Sequence, residues 1–83
     1  MLESLKEAPK KTVGMKQTLK AVQGGAALEV FLAEDVSDYI SQKVREQCKS
    51  NNIRITMVDS MSELGKACGI AVGAATAAIL KED

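Results

Sequence analysis

A chain of 83 residues has room for one domain with one modest core, and its balance of 11 basic against 11 acidic residues excludes a protein that coats nucleic acid by bulk charge. One tyrosine, one phenylalanine and no tryptophan leave the core to Ile, Leu, Val, Ala and Met, and exclude the aromatic stacking platforms of several single-strand RNA binders. With no histidine, and with Cys48 and Cys68 far apart, there is no metal-ligand pattern, and both cysteines read as reduced, semi-buried packing residues.

The segment Leu2 to Ala8 predicts a short helix that Pro9 ends, because the residue before a proline is pushed out of the helical region. Lys11 to Val13 follows as a brief extended piece. From Gly14, the residues Met15, Thr18, Leu19 and Val22 recur at helical spacing and stop at Gly24-Gly25, with Lys16, Gln17, Lys20 and Gln23 on the opposite side. Ala27 to Ala33 is a nearly continuous apolar run, suited to a strand covered on both faces. Asp35 is expected to cap the next helix, with Asp38 at its third position near the positive end of the dipole. Val36, Ile40, Val44 and Cys48 give that helix its buried face, and Asn51-Asn52 tolerate the left-handed geometry that ends it.

Ile53 to Val58 alternates and predicts a strand with one wetter face. Ser60-Met61-Ser62-Glu63 fits a capping box for a short helix to Cys68, closed by Gly69. Ile70 to Gly73 is then a loop, and Ala74 to Leu80 a final strand whose small side chains let a helix approach closely. Strands alternating with helices at these spacings predict an α/β fold: a three-layer α/β/α sandwich, residues 1–83 forming a single domain around a small four-stranded mixed sheet.

Residues 1 to 20 hold Lys6, Lys10, Lys11, Lys16 and Lys20 against Glu3 and Glu7, a local +3 that leaves −3 for the remainder. A basic end on a neutral chain points to a localised anionic partner. The uncharged stretch Ala67 to Leu80, which with the preceding Gly65 spaces glycines at 65, 69 and 73, is too short for a transmembrane helix, which needs roughly 20 apolar residues. Met1-Leu2-Glu3-Ser4 runs directly into charged sequence without a secretory signal's apolar core, so a cytoplasmic location is expected. Catalysis has little to work with: no histidine serves as base, no nucleophile motif is present, and no glycine cluster forms a phosphate loop or dinucleotide fingerprint. Glu34, Asp35 and Asp38 are assigned to capping and solvation rather than to a divalent cation.

Two features stand apart from ordinary surface. Gly14 begins a helix whose free N–H groups and positive dipole end make an anion site, with Lys16, Gln17 and Lys20 beside it; lysine and glutamine side chains also reach base edges. Ile70-Ala71-Val72 is a hydrophobic triplet between glycines, which needs either the core or a partner to cover it.

At these two places the chain resembles a known family, the kink-turn-binding ribosomal proteins typified by the archaeal large-subunit protein L-seven-Ae, and within it the small bacterial YbxF-like members. The match is carried by Val13-Gly14-Met15-Lys16-Gln17-Thr18-Leu19-Lys20-Ala21, by Ala33-Glu34-Asp35-Val36, and above all by Leu64 through Ala75. The resemblance implies a non-enzymatic binder, without cofactor, of RNA kink-turns, which are helices bent at a bulge followed by sheared G·A pairs. By position Lys20 corresponds to the family's guanine-contacting lysine, Gly14 to the glycine that admits the RNA backbone, and Ile70, Ala71 and Val72 to the apolar loop covering a nucleotide flipped from the bulge. Met15, Lys16 and Gln17 complete the first segment, and Lys11 and Lys43 are phosphate-contact candidates on charge alone.

Archaeal and eukaryotic members have Asn then Glu where this chain has Lys16 and Gln17, which exchanges hydrogen-bond specificity for charge and makes binding more salt-sensitive. Ala71 stands where relatives often carry an acidic residue. The expected partner is structured RNA, ribosomal or regulatory, bound by a monomer, with no DNA or membrane partner. The alternative is a protein-interaction module or dimer-forming adaptor in a ribonucleoprotein that uses the Ile70 to Val72 loop and an exposed strand edge.

Overall fold

A computed structural model describes residues 2–82; Met1, where the N-terminal reading begins, and Asp83, the end of the expected domain, lie outside the described residues. Ala8 is extended at φ −61° and ψ 126° ahead of Pro9, so the first helix, α1 (Glu3–Glu7), ends one residue earlier. A five-residue helix has no stability of its own in water. It persists here because Leu5 is fully buried and because the Lys11 ammonium donates to the carbonyls of Leu5 at 3.1 Å and Lys6 at 3.2 Å, where a cation suits the helix end.

The remaining elements are β1 (Lys11–Val13), α2 (Met15–Gln23), β2 (Ala27–Ala33), α3 (Asp38–Ser50), β3 (Arg54–Val58), α4 (Met61–Ala67) and β4 (Thr76–Leu80). The sheet runs in the order β1-β4-β2-β3, with β2 and β3 parallel and both pairings of β4 antiparallel, which is the expected mixed sheet. Its two faces carry two apolar clusters, as successive strand residues point to opposite sides. Phe31, Ala33 and Ala77 pack under α1 and α4 with Leu5, Leu64 and Ala67. Val30, Leu32 and Ala78 pack under α2 and α3 with Val22, Val44 and Cys48. Each fully buried Leu, Val or Phe contributes about 1.5–3 kcal/mol, and the fully buried Ala77 and Ala78 keep β4 thin enough for helices to close on both faces. Two buried hydroxyls are satisfied: Thr76 donates to the Phe31 carbonyl at 2.5 Å, and Thr18 shares a 2.9 Å hydrogen bond with Thr12.

The structure corrects three expectations. Strand β2 is not covered throughout, since Leu28 is 55% exposed. Ala27 pairs with Leu80 and Glu29 with Ile79, so Leu28 is the extra residue of a bulge that lifts it off the ladder. The cap of α3 is Ser37, whose hydroxyl accepts from the Ile40 amide at 3.3 Å, and Asp35 is left for another partner. Both cysteines are free and buried rather than semi-buried, and burial pushes their thiols up from the ordinary value. The expected left-handed residue after α3 is Asn52, at φ 56°. Among the described residues no helix is long and apolar enough to cross a membrane, and no group of residues has the makings of a metal site.

Candidate nucleic-acid interface

Gly14 adopts φ 96° and ψ 160°, a conformation open in practice only to glycine. Its amide donates to the Thr76 carbonyl at 2.8 Å, fixing it to the first residue of β4, and its carbonyl accepts from the Thr18 amide at 3.1 Å, opening α2. A Cβ at this position would meet nothing within 4 Å. The glycine is therefore required by its backbone angles and faces open space. Gly14→Ala is expected to cost about 1–3 kcal/mol of folding stability through strain alone, read as a lower unfolding midpoint in urea. An unchanged midpoint would show that the turn is free to adopt another path.

No side chain caps α2, and its first turn holds no acidic residue. Its first amides thus face outward with the positive end of the dipole. Lys16 and Gln17 are exposed in the first turn and Lys20 is exposed in the last, while Met15 is half-buried. Lys16 and Lys20 stand four apart on one side, where like charges repel by a few tenths of a kcal/mol, and a lysine in the first turn also opposes the dipole. Lys20 itself lies in the last turn, where a cation suits the dipole, so the unfavourable charge for folding is that of Lys16.

The Ile70 to Val72 loop is built on α4. Gly69, at φ 80°, ends that helix in a Schellman turn, in which the Gly69 amide donates to Lys66 at 3.0 Å and the Ile70 amide to Gly65 at 3.0 Å. Ile70 turns back onto the apolar cluster beneath α4, whereas Ala71 is exposed and Val72 is 71% exposed. Gly65 lets the returning loop lie directly on the helix, for a Cβ there would fall 2.1 Å from the Val72 carbonyl oxygen. A Cβ on Gly73 would crowd Met61 less severely, at 3.1 Å from the Met61 Cβ, and the Ala74 amide donates to the Met61 carbonyl at 3.0 Å.

Both segments occupy the end of the sheet where β4 begins. Gly14 is bonded to Thr76, and Val72 is four residues earlier, a separation that extended chain limits to about 14 Å. The structure thus brings the glycine turn and the apolar loop to one rim. It places the other two candidates elsewhere: Lys11 has two of its ammonium donors on α1, and Lys43 stands on α3 with its ammonium 5.9 Å from the Tyr39 ring centroid. Sequence reasoning assigned no role to Gly65, although the glycine spacing at 65, 69 and 73 was its signal. It also misplaced Asp35, whose Oδ1 accepts from the Met61 amide at 2.8 Å, at the start of α4.

Residues 1–83 match the model of the ribosomal protein L7Ae/L30e/S12e/Gadd45 family. An RNA-binding protein of a Geobacillus species is 51% identical over 79 residues, covering 95% of this chain and 96% of that protein. The RNA-binding protein YbxF of Geobacillus stearothermophilus is 47% identical over the same shares of each chain. Among solved structures, the Giardia lamblia 15.5kD RNA binding protein superposes with a TM-score of 0.84 at 28% identity, covering 99% of this chain and 72% of that one.

Proposed function

This chain belongs to the ribosomal protein L7Ae/L30e/S12e/Gadd45 family, and from that premise we propose that it is an RNA-binding protein that recognises kink-turns and stabilises their bent form. The observation that carries the reading is the start of α2. An uncapped helix end with Lys16 in its first turn, opposing the dipole and repelled by Lys20 one turn on, costs folding stability that an anion seated there offsets. A Gly14 conformation with open space above it lets a phosphate backbone approach those amides.

In this mechanism Lys20 donates to a guanine edge of the sheared G·A pairs, Gln17 offers a donor and an acceptor beside it, and Lys16 adds charge. Met15 supports the turn beneath them. Ile70, Ala71 and Val72 cover the nucleotide extruded from the bulge, which gives Val72 a reason to stand in solvent in the free protein. Lys43, and the remaining ammonium donor of Lys11, contribute attraction to flanking phosphates. The protein acts in the cytoplasm as a monomer and turns nothing over: selecting one RNA conformation requires only that it bind that conformation more tightly.

A kink-turn RNA carrying fluorophores on its two arms tests this. Without added divalent ions the RNA is extended; adding the protein is expected to bring the arms together, with energy transfer rising to a plateau as binding saturates. Saturable binding with no rise in transfer would contradict the proposal.

A further inference from the structure

Asp35 lies in the turn between β2 and α3, and neither helix near it needs it at the N-cap. Ser37 caps α3, and Ser60 caps α4, its hydroxyl accepting from the Glu63 amide at 3.1 Å. Asp35 instead reaches across 26 positions to the Met61 amide, at 2.8 Å. The base of this contact is fixed, because the flanking Ala33 amide donates to Ala75 at 2.9 Å and the Glu34 amide to Val58 at 2.8 Å. Its far end is the residue that anchors the loop exit, since Met61 accepts from the Ala74 amide and underlies Gly73.

We propose that Asp35 is a positioning residue for the Ile70 to Val72 loop, setting its height above the rim and hence how well it covers an extruded nucleotide. The inference rests on the kink-turn reading given above. Two supports hold the loop. On the helix side, Gly65 lets Val72 lie flat on α4; on the sheet side, Asp35 holds Met61, and through it Gly73 and Ala74. Removing the Asp35 bond loosens Met61 beneath Gly73 and Ala74, while Ala75 keeps its own hold on the sheet through the Ala33 amide. The start of α2 keeps its own attachment through Gly14 and Thr76, so recognition of the G·A pairs is unaffected.

A carboxylate lost near RNA also reduces repulsion and raises affinity for any RNA. The informative quantity is therefore a ratio of affinities, in which that general effect cancels. Wild type, Asp35→Ala and Asp35→Asn are each titrated with three RNAs: a kink-turn, the same RNA with an abasic site at the extruded nucleotide, and one whose G·A pairs are replaced. Wild type is expected to prefer the first RNA over both others. Asp35→Ala is expected to lose about tenfold of the preference over the abasic RNA, as for loss of one hydrogen bond to a charged group, and to keep its preference over the G·A-replaced RNA. Asp35→Asn retains an acceptor oxygen and is expected to restore the lost preference. Full abasic discrimination by Asp35→Ala overturns the inference, as does an Asp35→Asn protein that behaves like it, while the kink-turn reading survives both results. Failure of wild type to prefer the kink-turn over the G·A-replaced RNA sinks the kink-turn reading instead. Amide exchange of Met61 and Ala74 in wild type and Asp35→Asn supplies a measurement independent of the alanine variant's folding; both amides are expected to be protected, and fast exchange of Met61 in wild type overturns the inference.

Discussion

Gly65→Ala is expected to lower the melting temperature by roughly 10–20 °C, the largest stability change for any single methyl in the chain. The added Cβ would stand 2.1 Å from the Val72 carbonyl oxygen and 3.1 Å from the Gly73 Cα, and both obstacles are backbone, which no rotamer change moves aside. The helix and the loop must separate, carrying Ile70 out of the apolar cluster and loosening the Met61 to Ala74 hydrogen bond. Overpacking of this kind costs about 2–3 kcal/mol, and in a domain of this size each kcal/mol is worth about 4–8 °C. Circular dichroism melts of the two proteins measure it. Alanine is intrinsically the better helix former by about 1 kcal/mol, so an unchanged or higher melting temperature would mean that the loop does not rest on α4.

The second large effect concerns binding, and it separates function from folding by magnitude. Lys20→Ala is expected to weaken kink-turn binding by about 1–3 kcal/mol, roughly 5- to 150-fold, as for loss of one base-edge contact. Lys20 is exposed and four residues from Lys16, so the same substitution relieves a repulsion and installs a better helix former. Lys20 also lies in the last turn, where its charge suits the dipole, so these small terms offset and folding stability is expected to stay within about 0.5 kcal/mol. Calorimetric titration together with a thermal melt reads both quantities. Affinity unchanged in a folded protein would remove Lys20 from the interface.

Much of the fold was legible because it rests on local signals. Pro9, the glycine pair at 24–25, the Ser60 cap and the four-residue spacing along α3 each mark a boundary or a face without help from distant chain. The family resemblance was legible in three contiguous blocks for the same reason. What sequence reasoning missed was settled by contacts between segments. Asp35 and Ser37 are both good caps, and the choice between them depends on where Met61 arrives, 26 positions later. The exposure of Leu28 follows from a register slip against β4, which no pattern within β2 announces. Lys11 reads as a free cation until α1 folds back and presents its carbonyls. For the candidate site, sequence chemistry singled out Gly14 and the 70–72 triplet, but their common rim is a product of topology: it exists because β4 enters the sheet beside β1, through the bond from Gly14 to Thr76.

In the proposed mechanism the binding work is divided between a cationic helix start and an apolar loop on a separate helix, and a kink-turn is the RNA form that offers sheared pairs and an extruded nucleotide together. Gel-shift titration with a kink-turn RNA, and with the same RNA after its G·A pairs are replaced by Watson–Crick pairs, tests that claim most directly. The account predicts tight binding to the first and at least about tenfold weaker binding to the second at equal salt; equal affinity for the two RNAs would contradict it.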